Sequence, residues 1–252
     1  MKHSKRKKRE SLINITSGEW MLMLVKSGLL ILMLNYFFYR TVWAMPVLLL
    51  PGAVYLRMER EALLAKKKAQ AREQFKELML LVSTGQKAGY SAENAFLSSY
   101  GDMELLYGKN STICKMLHVL KVGRENQADF AGLWYQMGDK TGISEIREFA
   151  VVYEISGKSS GNAAAIMEKT AGIIIQKLET EKEIEVMLSA RRLEQKVMNV
   201  MPFLIMLYIS ITSPGYFDGL YHSFGGALIM TFCLSIYLAA YLLARKIAAI
   251  EV

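Results

Sequence analysis

The chain has 252 residues, a length typical of one or two domains. Hydrophobic residues make up 52% of it, the formal net charge is +8, and Cys114 and Cys233 are its two cysteines. This composition excludes a disordered chain, a disulfide scaffold and a four-thiolate metal site, and it favours a membrane protein.

Residues 1–20 are a basic N-terminal segment, with six Lys or Arg among the first ten residues. A nucleic-acid binder concentrates its basic residues on the folded domain. Here residues 57–196 carry 21 Lys or Arg against 19 Asp or Glu, so most of the excess charge lies beside apolar runs. We therefore favour a lipid-facing anchor over a nucleic-acid arm, and we expect membrane lipids and no nucleic acid as partners.

Four apolar runs predict four transmembrane helices, arranged as two hairpins. The first hairpin covers 21–56, with helices at 21–39 and 42–56, and the second covers 197–243, with helices at 197–213 and 224–243. The first run is about 28 Å long as a helix, enough for a hydrocarbon core of roughly 30 Å. Lys26 lies inside it, and we favour a side chain that reaches the interface over a residue of an ion pathway, since the four runs contain no acidic residue.

The distribution of Lys and Arg predicts the orientation of the hairpins. Basic residues lie before the first run, in 57–72, before the third run and in the tail 244–252, whereas the loops 40–41 and 214–223 hold one between them. Because positive charge marks the cytoplasmic side, both termini and residues 57–196 are expected there. A cleavable signal peptide is not expected, because the first run is too long and no small-residue cleavage site follows it.

Residues 57–196 predict an all-α cytoplasmic domain of six antiparallel helices, because this stretch has helical periodicity and no proline. The first helix is expected to run from the membrane to Lys87, with a structural turn at Gly89 and a cap at Ser91. The other predicted boundaries are an end near Gly101, a helix 112–122 ended by Gly123, caps at Asn126 and Ser144, and a turn at Gly161 before a long sixth helix that continues into the third run.

The sequence shows no credible catalytic, cofactor or metal site. The histidines lie in three separate regions, and none has metal-ligand spacing to another His or Cys. The string 157–161 resembles a phosphate loop, but Val152 stands where that motif needs glycine, so an interhelical turn is favoured. We therefore predict that the chain is not an enzyme.

Two charged stretches of the long sixth helix are candidates for contacts. The carboxylates are those of Glu179, Glu181, Glu183 and Glu185. Alternate residues spread around a helix, so the ordinary interpretation is a solvated segment, and the functional one is a docking surface for a basic cytoplasmic partner. Arg191, Arg192 and Lys196 are predicted to be anchors beside the membrane.

The layout of hairpin, helical domain and hairpin resembles the type II secretion system F family, in particular the single-domain TadB/TadC-like branch of tight-adherence (Flp) pilus assembly. The likeness covers about residues 20–247 and is carried by 80–96, by 149–167, and by 178–192 followed by Met201-Pro202. The polar segment 101–111 departs from the family, which often has a proline-containing loop there.

The resemblance implies a platform protein of the bacterial cytoplasmic membrane that performs no covalent chemistry. Its implied partners are a cytoplasmic secretion ATPase, a second platform protein of the same family and pilin subunits, with further copies of the chain possible in the assembly. The main alternative is a small membrane transporter subunit. A membrane-anchored enzyme and a receptor fit less well, because the first lacks a catalytic set and the second needs a larger outer domain.

Overall fold

A computed structural model of the chain describes residues 13, 15–41, 45–158, 163–221 and 223–250. Within these ranges the chain is helical and has no strand. The helices are α1 (Ser17–Phe38), α2 (Met45–Lys87), α3 (Ala92–Tyr107), α4 (Thr112–Glu125), α5 (Phe130–Thr141), α6 (Ser144–Lys158), α7 (Ala163–Thr212), α8 (Asp218–Tyr221) and α9 (Phe224–Ile250). The predicted all-α fold class is confirmed for this part of the chain.

The helices divide into two compact units. Unit 1 contains Leu63–Thr180 and the described residues of Met1–Ile15, and unit 2 contains Thr16–Ala62 and Glu181–Val252 as far as they are described. The long helices α2 and α7 each contribute residues to both units. The predicted continuity of the sixth helix of residues 57–196 with the third apolar run is confirmed, because α7 covers both without a break.

Unit 1 is built around a core of aromatic rings. Phe75 of α2, Phe96 of α3, Trp134 of α5 and Phe149 of α6 are each at most 1% exposed. Trp134 lies at the centre, with ring centroids 5.0 Å from Phe96, 5.2 Å from Phe149 and 5.8 Å from Phe75. Each of four helices therefore contributes one ring to this cluster, and the edge-on ring contacts add to the hydrophobic stabilisation.

The apolar faces of α2 and α7 are buried in the same core. On α2 these residues are Phe75, Leu78, Met79 and Val82, and on α7 they are Met167, Ala171, Ile174 and Leu178. Their spacing of three or four residues places each set on one side of its helix, as expected for a helix with one buried face.

Several predicted boundaries were wrong. Helix α3 continues past Gly101 to Tyr107, and α4 continues past Gly123 to Glu125. Asn126 ends α4, and Asp129 caps α5 by accepting hydrogen bonds from the backbone amides of Ala131 and Gly132, at 3.2 and 2.9 Å. Aspartate suits this position because its two carboxylate oxygens accept hydrogen bonds from two backbone amides that have no partner within the helix.

The remaining boundary predictions fare better. Gly89 has φ +92°, as the predicted turn requires, and Ser91 accepts a hydrogen bond from the amide of Asn94 at 3.4 Å. Helix α6 begins at Ser144, so this serine is the first residue of the helix and not its predicted cap. Gly161 lies outside the described residues.

Helices with the length and composition of membrane spans lie wholly or partly in unit 2. Three helices of the described chain qualify: Ser17–Phe38, Ala165–Thr212 and Gly225–Lys246. Residues 45–56, the described part of the predicted second span, form the start of α2 and are about 18 Å long. They are followed at once by Arg57, Glu59 and Arg60, so α2 does not qualify. Pro51 and Pro202 lie inside α2 and α7.

Candidate functional site

The four glutamates of the candidate docking segment lie on α7 and do not form a single cluster. Glu179 belongs to unit 1, and the other three belong to unit 2. Glu179 places a carboxylate oxygen 3.9 Å from Nζ of Lys76, and Glu185 places one 3.6 Å from Nη1 of Arg192. Glu183 is exposed and Glu181 is half-buried. The prediction that they spread around the helix therefore agrees with the structure, while their role stays a prediction.

The predicted membrane-proximal anchors lie one to three turns further along α7. Arg191 and Lys196 are exposed, and Arg192 is half-buried through its contact with Glu185. The neighbouring apolar side chains Met187 and Leu193 are 74% and 62% exposed. This part of α7 therefore presents both charged and apolar groups outside the packed interior of unit 2, as a helix near a membrane interface does.

The best-organised charged site is one that the sequence did not reveal. The side chain of Glu145, at the start of α6, is only 1% exposed. Its carboxylate accepts two hydrogen bonds from Arg72 of α2, at 2.6 and 3.2 Å, and lies 3.2 Å from Nζ of Lys177 of α7. One buried carboxylate thus connects three helices of unit 1.

The electrostatics of this site favour the ionised carboxylate. Burial alone would raise the pKa of Glu145, but the hydrogen bonds from Arg72, together with backbone hydrogen bonding and Lys177, hold it below its ordinary value. The first turn of a helix also favours negative charge. Because the charge of this carboxylate is balanced by Arg72 and Lys177, we interpret it as a structural connection between the three helices.

A sequence signal for Glu145 existed but was weak. Glu145 lies four residues before the buried Phe149, so helical spacing places both on the same face. Its partners, Arg72 and Lys177, are 73 and 32 residues away, and nothing in the local pattern joins them.

Two polar layers lie in unit 2. The first, the Lys26 layer, consists of Lys26 of α1, Glu59 of α2 and Arg245 of α9. Nζ of Lys26 is 2.7 Å from Oε1 of Glu59, and Arg245 donates to the carbonyl of Met58 at 3.4 Å. The four apolar runs contain no acidic residue, but the structure supplies a partner for Lys26 just beyond the second run.

The second, the Tyr39 layer, consists of Tyr39, Arg40, Ser210 and Thr231. The hydroxyl of Tyr39 is 2.9 Å from that of Thr231, and Arg40 donates to Ser210 at 3.1 Å. The guanidinium of Arg40 also lies 4.9 Å from the ring centre of Tyr221. Between the layers the helices pack through apolar groups centred on Phe203.

Close helix packing between α1 and α2 depends on small residues. The hydroxyl of Ser27 donates to the carbonyl of Gly52 at 3.2 Å, and a Cβ on Gly52 would lie 2.6 Å from Cδ1 of Ile31. Small residues at such crossings are typical of helix pairs in membranes, where backbones approach closely.

Other candidate chemistry is not assembled in the part of the chain that the structure describes. No group of three His, Cys, Asp or Glu side chains there could hold a metal ion. Cys114 is buried in unit 1, while Cys233 is exposed on α9. Most of the phosphate-loop-like string, residues 159–161, lies outside the described residues.

Comparison with known proteins found no matching family model, no similar curated protein and no similar solved structure. The resemblance to the secretion platform family therefore stays a prediction from the sequence pattern.

Proposed function

We propose that this chain is a platform protein of the bacterial cytoplasmic membrane, in a type IV pilus-like (Flp/Tad) or type II secretion machine. It couples a cytoplasmic secretion ATPase to pilin assembly or protein export. The observation that carries the proposal is helix α7, whose residues 167–178 are part of the unit 1 core and whose residues from 197 onward are apolar and suited to a membrane.

The proposed topology has four transmembrane helices, with residues 57–196 as a cytoplasmic six-helix bundle and both termini cytoplasmic. Three helices of span length support it. The second span, 42–56, is short for a membrane helix. Close packing holds it against the other helices, because Gly52 packs closely against α1 and Leu48 is fully buried. The basic residues at 57–72 and around Lys196 support the cytoplasmic placement of the bundle.

The test of this function is cross-linking in intact cells followed by affinity purification and mass spectrometry. We expect recovery of a secretion ATPase together with a second platform protein. Exchange of Glu183 and Glu185 for lysine should lower ATPase recovery about three- to tenfold, because each exposed charge pair contributes up to about 1 kcal/mol.

The matched control is Glu125→Lys, a charge reversal at an exposed glutamate of α4. It should leave ATPase recovery unchanged. Equal recovery from all variants would remove the glutamate segment as the docking surface, and the absence of any secretion ATPase would contradict the platform function itself.

The mechanism we propose is transmission of ATP-driven displacement along α7. A flexible Gly-Ser insertion near Lys196 should abolish pilus assembly and leave membrane insertion intact. An alanine-rich insertion of the same length, about two helical turns or roughly seven residues, keeps the helical phase and should retain much of the assembly. Electron microscopy of pili and membrane fractionation measure the two outcomes, and normal piliation with the Gly-Ser insertion would refute the mechanism.

A small transporter subunit is the second candidate. The Lys26–Glu59 ion pair favours it, because charged groups in membrane helices often mark the path of an ion or solute. The same cross-linking separates the two functions, since a transporter subunit would recover a nucleotide-binding transporter protein or a soluble substrate and no secretion ATPase.

A further inference from the structure

Unit 2 contains an apolar cavity between four helices. Its volume is about 360 Å³, and it is lined by residues of α1, α2, α7 and α9. The residues that line it include Leu34, Val54, Tyr55, Met58, Tyr237 and Tyr241. None of the described residues that line the cavity is charged, so its surface is suited to a hydrocarbon ligand.

One end of the cavity lies beside basic groups. Met58 lines the cavity, and its carbonyl accepts a hydrogen bond from Arg245 at 3.4 Å, so this guanidinium lies at the rim. Tyr55 and Tyr241 line the same end, one turn from Glu59 and Arg245 along their helices. An apolar interior with tyrosines and a guanidinium at its rim matches the chemistry of a lipid, whose chain is apolar and whose phosphate is charged.

The charge around this rim is positive. The basic residues in the adjoining turns of α1, α2 and α9 are Lys26, Arg57, Arg60, Arg245 and Lys246, against the acidic residues Glu59 and Glu61. Glu59 is already paired with Lys26. The remaining excess of positive charge favours an anionic headgroup over a zwitterionic one, as basic pockets between membrane helices do.

We propose that this cavity binds one acyl chain of an anionic phospholipid, whose phosphate accepts hydrogen bonds from Arg245. The cavity is near the lower end of the roughly 300–1,000 Å³ of small-molecule sites, so it suits a chain-like ligand rather than a folded partner. The proposal rests on the membrane insertion of unit 2, and it does not depend on the secretion ATPase.

The test uses the full chain in nanodiscs and a phosphatidylglycerol probe with a photoreactive acyl chain. A phosphatidylcholine probe with the same acyl chain is the comparison.

Two pairs of variants isolate the two parts of the site. Arg245→Gln removes the rim guanidinium, and Lys246→Gln removes an exposed charge next to it. Val54→Trp fills the cavity from a 45% exposed position, and Leu49→Trp adds the same ring to an exposed residue that does not line it.

We expect labelling by phosphatidylglycerol to exceed that by phosphatidylcholine about tenfold, because both phosphates can accept from Arg245 but the excess positive charge at the rim repels the choline ammonium of phosphatidylcholine. Arg245→Gln should lower labelling by both probes, since both lose the phosphate contact, and should weaken the preference, while Lys246→Gln should change either less than about twofold. Val54→Trp should abolish labelling by both probes, and Leu49→Trp should retain it. Mass spectrometry of the labelled wild-type chain should place the adducts on cavity-lining residues.

Three results would overturn the proposal: equal labelling of the wild-type chain by both probes, equal labelling of Val54→Trp and Leu49→Trp, or adducts confined to residues outside the cavity. The last measurement needs no variant, so misfolding cannot obscure it. Because the ATPase is absent from the nanodiscs, failure of lipid binding is distinct from failure of the platform function.

Discussion

Replacement of Trp134 by alanine is expected to lower the free energy of unfolding of unit 1 by about 3–5 kcal/mol. Trp134 is fully buried and its ring contacts those of Phe75, Phe96 and Phe149. Alanine would remove the ring shared by these contacts and leave a cavity where four helices meet. The surrounding rings come from different helices, so they can close such a cavity only by moving backbones.

The thiol of Cys114 offers a direct measurement of this effect. It is 1% exposed in the same core, so it reacts with a maleimide only when unit 1 opens. In a Cys233→Ser background, Trp134→Ala should accelerate labelling of Cys114 about 100-fold or more, since each 1.4 kcal/mol corresponds to a factor of ten.

Two control variants separate the loss of packing from other effects. Trp134→Phe keeps an aromatic ring, and Nε1 of Trp134 has no hydrogen-bond partner, so this change should accelerate labelling far less. Tyr90→Ala removes a ring that is 57% exposed and should have little effect. If Trp134→Ala labelled no faster than Tyr90→Ala, the central role of Trp134 in the core would be wrong.

The second large effect is expected at Glu145. Glu145→Gln removes the charge that neutralises Arg72 and Lys177, and it should destabilise unit 1 by about 2–4 kcal/mol near neutral pH, since disruption of a buried ion pair costs about 3–5 kcal/mol and both partners here are partly exposed. Glu148→Gln is the matched control. Glu148 lies on the same helix and 3.4 Å from the same lysine, but its side chain is 54% exposed, so its loss should cost less than about 1 kcal/mol.

The difference between wild type and Glu145→Gln should depend on pH. The pKa of Glu145 is lowered in the folded state, so its stabilisation is fully present above the ordinary value of 4.5 and is lost as the pH falls through the folded value. Denaturant titrations of the two proteins, followed by Cys114 labelling from about pH 7 to about pH 4, should therefore converge toward the acid end. A constant difference over this range would show that the charge of Glu145 does not cause the stabilisation.

The helical faces of unit 1 could be predicted from sequence because helical periodicity is a local signal. Phe75, Leu78, Met79 and Val82 repeat at three and four residues, and burial follows from that spacing alone. Capping by Ser91 is local too, because the serine and the amide that it binds are three residues apart.

Whether a glycine ends a helix or lies inside one could not be predicted in the same way. Gly89 and Gly142 have positive φ and lie where helices end, but Gly123 and Gly138 lie inside helices. Gly123 faces Leu133 of α5, whose side chain would have to move to make room for a Cβ, and Gly138 faces the backbone of Arg147 in α6, which lies 3.2 Å from the position of a Cβ. Both reasons involve another helix, and the sequence around the glycine does not reveal it.

The charged contacts were missed for the same physical reason. Lys26 and Glu59 are 33 residues apart, and Arg72 and Glu145 are 73 apart. In the sequence, each of these residues has the pattern of an ordinary exposed charged side chain. These residues become partners only when the helices pack together. The sequence therefore indicates the segment Glu179–Glu185, whose charges form a local pattern, but it does not indicate the better-ordered Glu145.

The two polar layers of unit 2 have a consequence for the bilayer around it. Tyr39, which directly follows α1, lies 13 residues after Lys26, and Thr231 and Arg245 are 14 residues apart on α9, which places the layers roughly 20 Å apart. A typical hydrocarbon core is about 30 Å thick. On α1 the exposed apolar residues Met21, Leu22 and Val25 extend the apolar surface beyond Lys26. On α9 the exposed Leu228 and Ile229 extend it beyond Thr231 in the same way. In a membrane, the lipid-facing apolar belt of unit 2 would therefore be taller than the spacing of its polar layers and closer to the thickness of the hydrocarbon core, which limits hydrophobic mismatch.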